Sequence, residues 1–174
     1  TGAGRPTRGP TRNARWYSRI MRKNTRTWNS FEELRQAAEA NDAGAQCFLA
    51  ICFQTGQGVQ QDYLEALKWF RRAADQDDAS AQCYLGVCYQ LGSGVSADVV
   101  EAVKWYRMAA EQNLAAAESS LGDCYHIGQG VAQDYEEAVK WYRKAAEQND
   151  AKAQSNLGVS YAFGEGVAQD YAES

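Results

Sequence analysis

Apolar residues along the chain recur at the spacing of amphipathic helices, and the whole pattern returns every 36 residues. In residues 79–114 the first helical face spans 79–90 and consists of Ala81, Leu85, Cys88 and Tyr89. We call this predicted element helix A. A second element, helix B, is predicted to run to about Gln112, with an inward face of Ala102, Trp105, Tyr106, Ala109 and Ala110. Each unit is therefore predicted to be an antiparallel helix pair.

The residues between the two helices carry the signals of helix ends. Gly92 and Gly94 allow a sharp reversal, because glycine readily adopts left-handed backbone conformations. Asp98 is predicted to form a capping box with Glu101, in which each side chain bonds the other residue's backbone N–H. The same spacing recurs at Asp62 with Glu65, Asp134 with Glu137, and Asp170 with Glu173. Helix B is predicted to stop at asparagines, Asn113 and Asn149.

The period divides the chain into an arm, a cap and a series of repeats. The repeats are 43–78, 79–114, 115–150 and a partial fourth repeat at 151–174. Residues 30–42 match the later part of a unit, so they are predicted to form a lone helix B that closes the N-terminal end. Residues 1–29 form a basic N-terminal arm. Because the sequence ends inside a helix B, we expect further repeats to follow Ser174.

The repeated residues resemble the Sel-one-like repeat family, which is related to the tetratricopeptide repeats. The resemblance covers residues 43–174 and rests on the run A-x-A-Q-x-x-L-G…Y-x-x-G-x-G-V-x-x-D-Y-x-x-A-x-K-W-Y-R-x-A-A, best seen at 115–147. It implies an all-α fold, a right-handed α/α superhelix (solenoid) whose helices A line the concave surface. It also implies a non-catalytic scaffold or adaptor that binds a protein or peptide partner.

The chain departs from the family pattern at a few positions. Val99 replaces a tyrosine that recurs at Tyr63, Tyr135 and Tyr171, and Ala50 replaces a glycine that recurs at Gly86, Gly122 and Gly158. A cysteine-rich branch of the family joins each helix B to the next helix A by a disulfide. The corresponding positions here are Ala74 and Gln82, so the resemblance does not extend to that disulfide set.

Composition adds limits on compartment and chemistry. The chain is 45% hydrophobic, and its longest apolar run falls short of the ~18 residues that a membrane span requires. The five cysteines recur at helix A positions and are interpreted as small packed residues, which fits a reducing compartment such as the cytoplasm. Cys47 and Cys52, like Cys83 and Cys88, are five residues apart on a predicted helix and face different ways, so we expect neither a metal nor a cofactor.

Two features resemble catalytic or phosphate-binding motifs. The Gly-x-Gly loops follow a helix and recur four times, whereas a phosphate loop follows a strand, so we interpret them as turns. His126, the single histidine, lies three residues after Asp123, and the two are expected to be neighbours on helix A. A general base oriented by a carboxylate would need a nucleophile beside it, so we favour a solvated or partner-contacting pair.

The face of helix A opposite Leu85 changes between repeats and is mostly apolar. An exposed apolar patch usually marks an interaction site, but neighbouring helices A could also cover one another and bury it. The sequence leaves both interpretations open. We predict that a protein or peptide partner binds this face, called the concave stripe: Phe48, Ile51, Thr55, Tyr84, Val87, Leu91, Ser120, Asp123, His126, Ile127, Asn156, Val159 and Phe163.

Charge is divided unevenly between the arm and the repeats. Residues 1–30 contain no acid, whereas the remainder holds ten basic and 22 acidic residues. Residues 13–24 are predicted to form a short amphipathic helix with Trp16 and Ile20 four residues apart. The candidate contact residues of the arm are Arg5, Arg8, Arg12, Arg15, Trp16, Arg19, Arg22, Lys23 and Arg26.

Several targets of the arm stay open at this stage. Arginine with aromatic residues suits nucleic acid, and the alternative function is a component of a ribonucleoprotein assembly anchored by the arm. A basic amphipathic helix also suits an anionic membrane surface, and the arm could bind the acidic repeats. The arginine-rich leader resembles a mitochondrial targeting segment, which leaves organellar import open. A solvated tail is the simplest alternative.

Overall fold

The computed structural model describes residues 28 and 30–167 of the chain. Within these residues all regular secondary structure is helical, in eight helices: α1 Phe31–Glu39, α2 Ala43–Thr55, α3 Tyr63–Ala74, α4 Ala79–Leu91, α5 Val99–Glu111, α6 Ala115–Ile127, α7 Tyr135–Glu147 and α8 Ala151–Phe163. The helices α2, α4, α6 and α8 are helices A, and α3, α5 and α7 are helices B. The helix α1 takes the place of a helix B before the first pair.

Each helix packs mainly against the helix before it and the helix after it along the chain. The result is a solenoid of stacked antiparallel helix pairs, which confirms the predicted fold class. The core runs through the stack as alternating small and large side chains. Leu85 and Leu121 are fully buried on helices A, and Tyr106 and Tyr142 are almost fully buried on helices B.

Glycine on helix A allows the tyrosine of helix B to approach closely. A Cβ atom added at Gly86 would lie 2.5 Å from Cε1 of Tyr106, and one added at Gly122 would lie 2.6 Å from Cδ1 of Tyr142. The first repeat differs at both positions, with Ala50 in place of the glycine and Phe70 in place of the tyrosine, and both are fully buried. The Phe70 ring stacks on Tyr84 at a centroid distance of 5.0 Å and has no hydroxyl group to fix its position.

The N-caps of helix B are confirmed, but the reciprocal half of the capping box is wrong. The side chain of Asp98 accepts from the backbone N–H groups of Val100 and Glu101. The N–H of Asp98 donates to the carbonyl of Tyr89, so Glu101 binds Lys104 at 2.8 Å. Packing against helix A satisfies the N–H that the glutamate would have bonded. The same arrangement holds at Asp62 and Asp134, and the predicted cap at Asp170 lies outside the described residues.

Both helices of a unit end in left-handed backbone. Helices A end before a glycine with positive φ, and the equivalent position after helix B is Asn41, Asp77, Asn113 or Asn149. Asparagine and aspartate tolerate this conformation better than most residues, which confirms the predicted stops at Asn113 and Asn149. The turns are therefore encoded by the same residue types in every repeat.

The second glycine of each later Gly-x-Gly loop packs on the preceding repeat. A Cβ atom added at Gly130 would overlap the carbonyl oxygen of Val99 and lie 2.7 Å from its carbonyl carbon. Gly94 meets Tyr63 and Gly166 meets Tyr135 in the same way. These loops are turns, as the sequence predicted, and the structure adds that they bring one repeat against the start of the previous helix B.

Candidate binding surface

The last residue of each helix A stands at the surface. Leu91 is 69% exposed, Ile127 60% and Phe163 74%, and Thr55 is exposed at the same position of the first repeat. Each is followed by a left-handed glycine that turns the backbone away from the helix. The four residues therefore form a row at 36-residue intervals, which we call the ridge. Three of its four members are large apolar side chains.

The other residues of the concave stripe are partly covered. Phe48 is 5% exposed and stacks on Trp28 at a centroid distance of 6.0 Å, whereas Tyr84 lies against Phe70. Ile51 and Val87 are half-buried, and Val159 is 44% exposed. Ser120 is half-buried and donates to the carbonyl of Ala116. The stripe thus contains both partly covered residues and the exposed residues of the ridge.

A cleft of about 280 Å³ opens between helices α6 and α8. Its lining residues are Gln90, Asp123, His126, Ile127, Tyr142, Asn156 and Val159. Five of these belong to the predicted concave stripe, and Gln90 and Tyr142 were not predicted. The cleft therefore brings together Asp123, His126 and Asn156 beside the ridge residue Ile127.

Asp123 organises the floor of this cleft. Its Oδ1 atom accepts from the hydroxyl of Tyr142 at 2.9 Å and from Nδ2 of Asn156 at 2.8 Å. Its Oδ2 atom pairs with Nζ of Lys152. Burial and the neighbouring carboxylate raise the pKa of the Tyr142 hydroxyl, which keeps it protonated as the donor. The equivalent residues in the other repeats are apolar: Ile51, Val87 and Val159.

His126 contacts the next repeat, and the hydrogen-bond partners of Asp123 are Tyr142, Asn156 and Lys152. Its Nε2 atom lies 2.8 Å from Oε2 of Glu165, and both side chains are 30% exposed. Its ring meets the edge of Tyr135 at a centroid distance of 5.2 Å. At the same position of the second repeat, Gln90 donates to Gln129 at 2.8 Å. The predicted pair is therefore two separate links between repeats 3 and 4.

A family model of the Sel1 repeat matches residues 43–78, 79–114, 115–150 and 151–174. The chain belongs to the Sel1 repeat family. No curated protein matches it.

Solved structures of Sel1 repeat proteins are similar to this chain. The Sel1 repeat protein from Oxalobacter formigenes is 37% identical with a TM-score of 0.74, over 82% of this chain and 64% of that one. The uropathogenic Escherichia coli protein c5321, a protective antigen displaying an SLR fold, is 33% identical with a TM-score of 0.69, over 92% and 43%. Helicobacter pylori cysteine rich protein B shares the fold at 23% identity and a TM-score of 0.60, over 74% and 98%. The chain thus spans less than two thirds of the first two.

Sel1 repeats form a solenoid that commonly serves as a protein-interaction scaffold, and the family is typically non-catalytic. In the part of this chain that the structure describes, no group of three or more His, Cys, Asp or Glu side chains could hold a metal ion. Over the same residues no helix is both long and apolar enough to cross a membrane. The predicted contact residues of the basic arm lie outside the described residues.

The cysteines of the Sel1 repeats contribute to packing. Cys47, Cys52, Cys88 and Cys124 are buried, Cys83 is half-buried, and all five are free. Burial raises the pKa of the Cys83, Cys88 and Cys124 thiols to about 11. Because the thiolate is the reactive form, these side chains behave as small apolar residues at neutral pH. Their interpretation as packed residues is confirmed.

Sequence reasoning missed one buried carboxyl group in the third Sel1 repeat. Glu118 is 1% exposed and stands where the other repeats have glutamine, at Gln46, Gln82 and Gln154. Its Oε2 atom accepts from Gln148 at 2.7 Å, just as Gln82 accepts from Gln112 at 2.9 Å. Burial raises the pKa of Glu118 above its ordinary value of 4.5. The departure from the A-x-A-Q pattern was the available signal.

Glu118→Gln is expected to raise the free energy of unfolding at pH 7 by about 1 kcal/mol, because a buried amide avoids the desolvation of a carboxylate. A folded-state pKa above the unfolded one makes the native protein lose stability as pH rises from about 4.5 through the raised value. The variant should therefore lose that part of the pH dependence. Urea denaturation between pH 4 and pH 8 tests this.

Gln82→Glu is the matched control, and it should destabilise the protein at pH 7 by a similar amount. An unchanged pH profile in Glu118→Gln would contradict the assignment.

Proposed function

We propose that this Sel1 repeat chain is a scaffold that binds a segment of a partner protein along the ridge and the adjoining cleft. The observation that carries the proposal is the exposure of Leu91, Ile127 and Phe163, which occupy the same position in three consecutive repeats. Large apolar side chains in such a row are suited to a ligand that runs along the solenoid. The cleft at Asp123 supplies polar groups beside Ile127, the middle residue of the row.

The polar groups of the cleft favour binding over catalysis. Asp123 is held by Tyr142, Asn156 and Lys152, and His126 is held by Glu165. Fixed, satisfied polar groups set the orientation and register of a ligand, whereas a reaction would require a nucleophile converging with a base. We therefore assign the cleft to recognition of a polar or charged side chain on the partner segment.

Replacing Leu91, Ile127 and Phe163 together by aspartate is expected to weaken partner binding at least tenfold. The substitutions remove apolar contact and introduce three carboxylates, each of which would lose water on binding. The full chain serves as bait in extract from its source, and recovered proteins are then purified and their affinity measured by calorimetry. Helical circular dichroism should be unchanged, because the replaced side chains are exposed.

Leu64→Asp with Val100→Asp provides the matched control. These apolar residues are 62% and 53% exposed, but they lie on helices B. The control variant should bind as the unmodified chain does. Equal affinity of the ridge variant and the unmodified chain for every purified partner would refute the proposed site.

A further inference from the structure

The described chain begins on the concave stripe. Trp28 stacks on Phe48, the first residue of the stripe, with ring planes inclined by 29°. Phe48 is 5% exposed under this cover, whereas Tyr84 at the equivalent position is half-buried. A residue from outside the repeats therefore already occupies the first position of the surface.

Basic side chains are concentrated on one side of the solenoid. Of the ten Lys and Arg residues between 30 and 167, nine lie on α1 and the helices B: Arg35, Lys68, Arg71, Arg72, Lys104, Arg107, Lys140, Arg143 and Lys144. The remaining one is Lys152 on α8. The cleft beside it contains Asp123, with Glu165 bonded to its His126. Acidic side chains within the helices are distributed in the same way, with nine on α1 and the helices B and only the buried Glu118 and the half-buried Asp123 on helices A. The helix A surface therefore has few charges of either sign, and its accessible carboxylates are Asp123 and the adjoining Glu165.

Residues 1–27 contain eight basic residues and no acid, so they can supply a cation to the two carboxylates at the cleft, Asp123 and Glu165. The Lys152 side chain is 61% exposed and the Asp123 side chain is 28% exposed, so a cation entering from solvent can replace the lysine at Oδ2. Because Oδ1 already accepts from Tyr142 and Asn156, an arginine would bind Oδ2 through a charge-assisted hydrogen bond. The cleft thus suits an arginine from a basic segment.

The arm is long enough to reach the cleft. Side-chain contacts between Asp123 and Asn156 place α6 beside α8, and packed helices lie roughly 8–10 Å apart. From α2 to the cleft is then roughly 25 Å. The 13 residues from Arg15 to Trp28 span up to about 43 Å when extended, at 3.3 Å per residue. With residues 15–24 helical at about 1.5 Å per residue, the same 13 residues would span roughly 27 Å, which still covers the distance.

We infer that residues 13–27 bind in the same molecule along the helix A surface, with an arginine in the Asp123 cleft and Trp16 and Ile20 against the ridge. The inference rests on the proposed function, since it assigns an occupant to that surface. The arm is then an internal ligand. An external partner must displace it. The partner's apparent affinity is then its intrinsic affinity multiplied by the fraction of molecules in which the surface is free.

Photocrosslinking in the full chain tests this directly. Trp16 is replaced by benzoylphenylalanine, and crosslinked peptides are identified by mass spectrometry. Crosslinks are expected within the monomer, on α4, α6 and α8, and with a yield that does not depend on protein concentration. High salt should reduce the yield severalfold, because screening weakens the contacts of the arm.

Asp123→Asn with Glu165→Gln should reduce this yield at least fivefold. Glu111→Gln with Glu136→Gln is the matched control, since it removes two exposed charges from helices B and leaves the cleft intact. Arg15→Glu with Arg19→Glu is a second variant that leaves the repeats unaltered, and it should reduce the yield equally. This pair keeps the test valid if the cleft variant fails to fold.

Crosslinks to helices B, crosslinks between two molecules, or no crosslinks would each overturn the inference. These outcomes leave the proposed function standing if the ridge variant still loses its partner. Conversely, crosslinks could form along the stripe while the ridge variant binds its partner as the unmodified chain does. That result would refute the proposed function and leave the inference about the arm standing.

Discussion

Gly130→Ala is expected to lower the free energy of unfolding by roughly 2–4 kcal/mol. Gly130 has a φ of +73°, which costs alanine about 1 kcal/mol. The added methyl group would also overlap the backbone of Val99 in the preceding repeat and lie 3.0 Å from Cγ2 of Val103. Overpacking of this kind costs about 1–3 kcal/mol, and a carbonyl group within a helix cannot move aside as a side chain can. Urea denaturation followed by circular dichroism measures the loss.

Gly58→Ala separates the two contributions. Gly58 has a φ of +78°, but an added Cβ atom would lie 3.8 Å from Cδ2 of Phe31, an ordinary contact. This variant should lose about 1 kcal/mol through backbone strain alone. Equal losses in the two variants would show that the contact between repeats contributes nothing.

The Gly130 variant should also unfold less cooperatively. Stability in a solenoid is a sum of repeat stabilities and contacts between neighbours, so a damaged junction lets the parts unfold separately. We expect a shallower denaturant dependence in Gly130→Ala and an unchanged one in Gly58→Ala.

Gly86→Ala is expected to destabilise the second repeat by about 2 kcal/mol, because its Cβ atom would lie 2.5 Å from Cε1 of Tyr106. The ring cannot turn away freely, since it is 1% exposed and its hydroxyl donates to Gln90 at 2.8 Å. Thermal denaturation of the full chain measures the effect. Alanine's higher helix propensity offsets part of the cost.

Tyr106→Phe should relieve part of this loss in the double variant. Without the hydroxyl the ring is released from Gln90, as in the first repeat, where Ala50 and Phe70 occur together. A double-mutant cycle is expected to show a favourable coupling of about 1 kcal/mol. Strictly additive losses would mean that the hydroxyl does not fix the ring.

The elements and their turns could be predicted from sequence because they depend on local chemistry repeated three times. Aspartate at the start of helix B bonds the backbone N–H groups of the next few residues, and asparagine after helix B adopts the left-handed backbone itself. The partner of Glu101 could not be predicted in this way, since the N–H that it would have bonded is taken by the carbonyl of Tyr89 on another helix.

The candidate surface was only partly predictable for the same reason. Its residues were found because they differ between repeats, whereas most core residues are the same in each repeat. Asp123 stands at a position that is apolar in the other repeats. Spacing along one helix placed Asp123 beside His126. Their actual partners, Asn156 and Glu165, come from the next repeat, which lies 33 and 39 residues away along the chain. The 36-residue period does not specify which side chains of successive repeats come into contact.

The links between repeats also differ in chemical type along the solenoid. Gln90 and Gln129 join repeats 2 and 3 through a neutral amide bond, whereas Asp123 with Lys152 and His126 with Glu165 join repeats 3 and 4 through ionisable groups. Salt screens charged contacts between exposed groups and has little effect on an amide pair. Among the described repeats, rising ionic strength is therefore expected to weaken the contact between repeats 3 and 4 more than the contact between repeats 2 and 3.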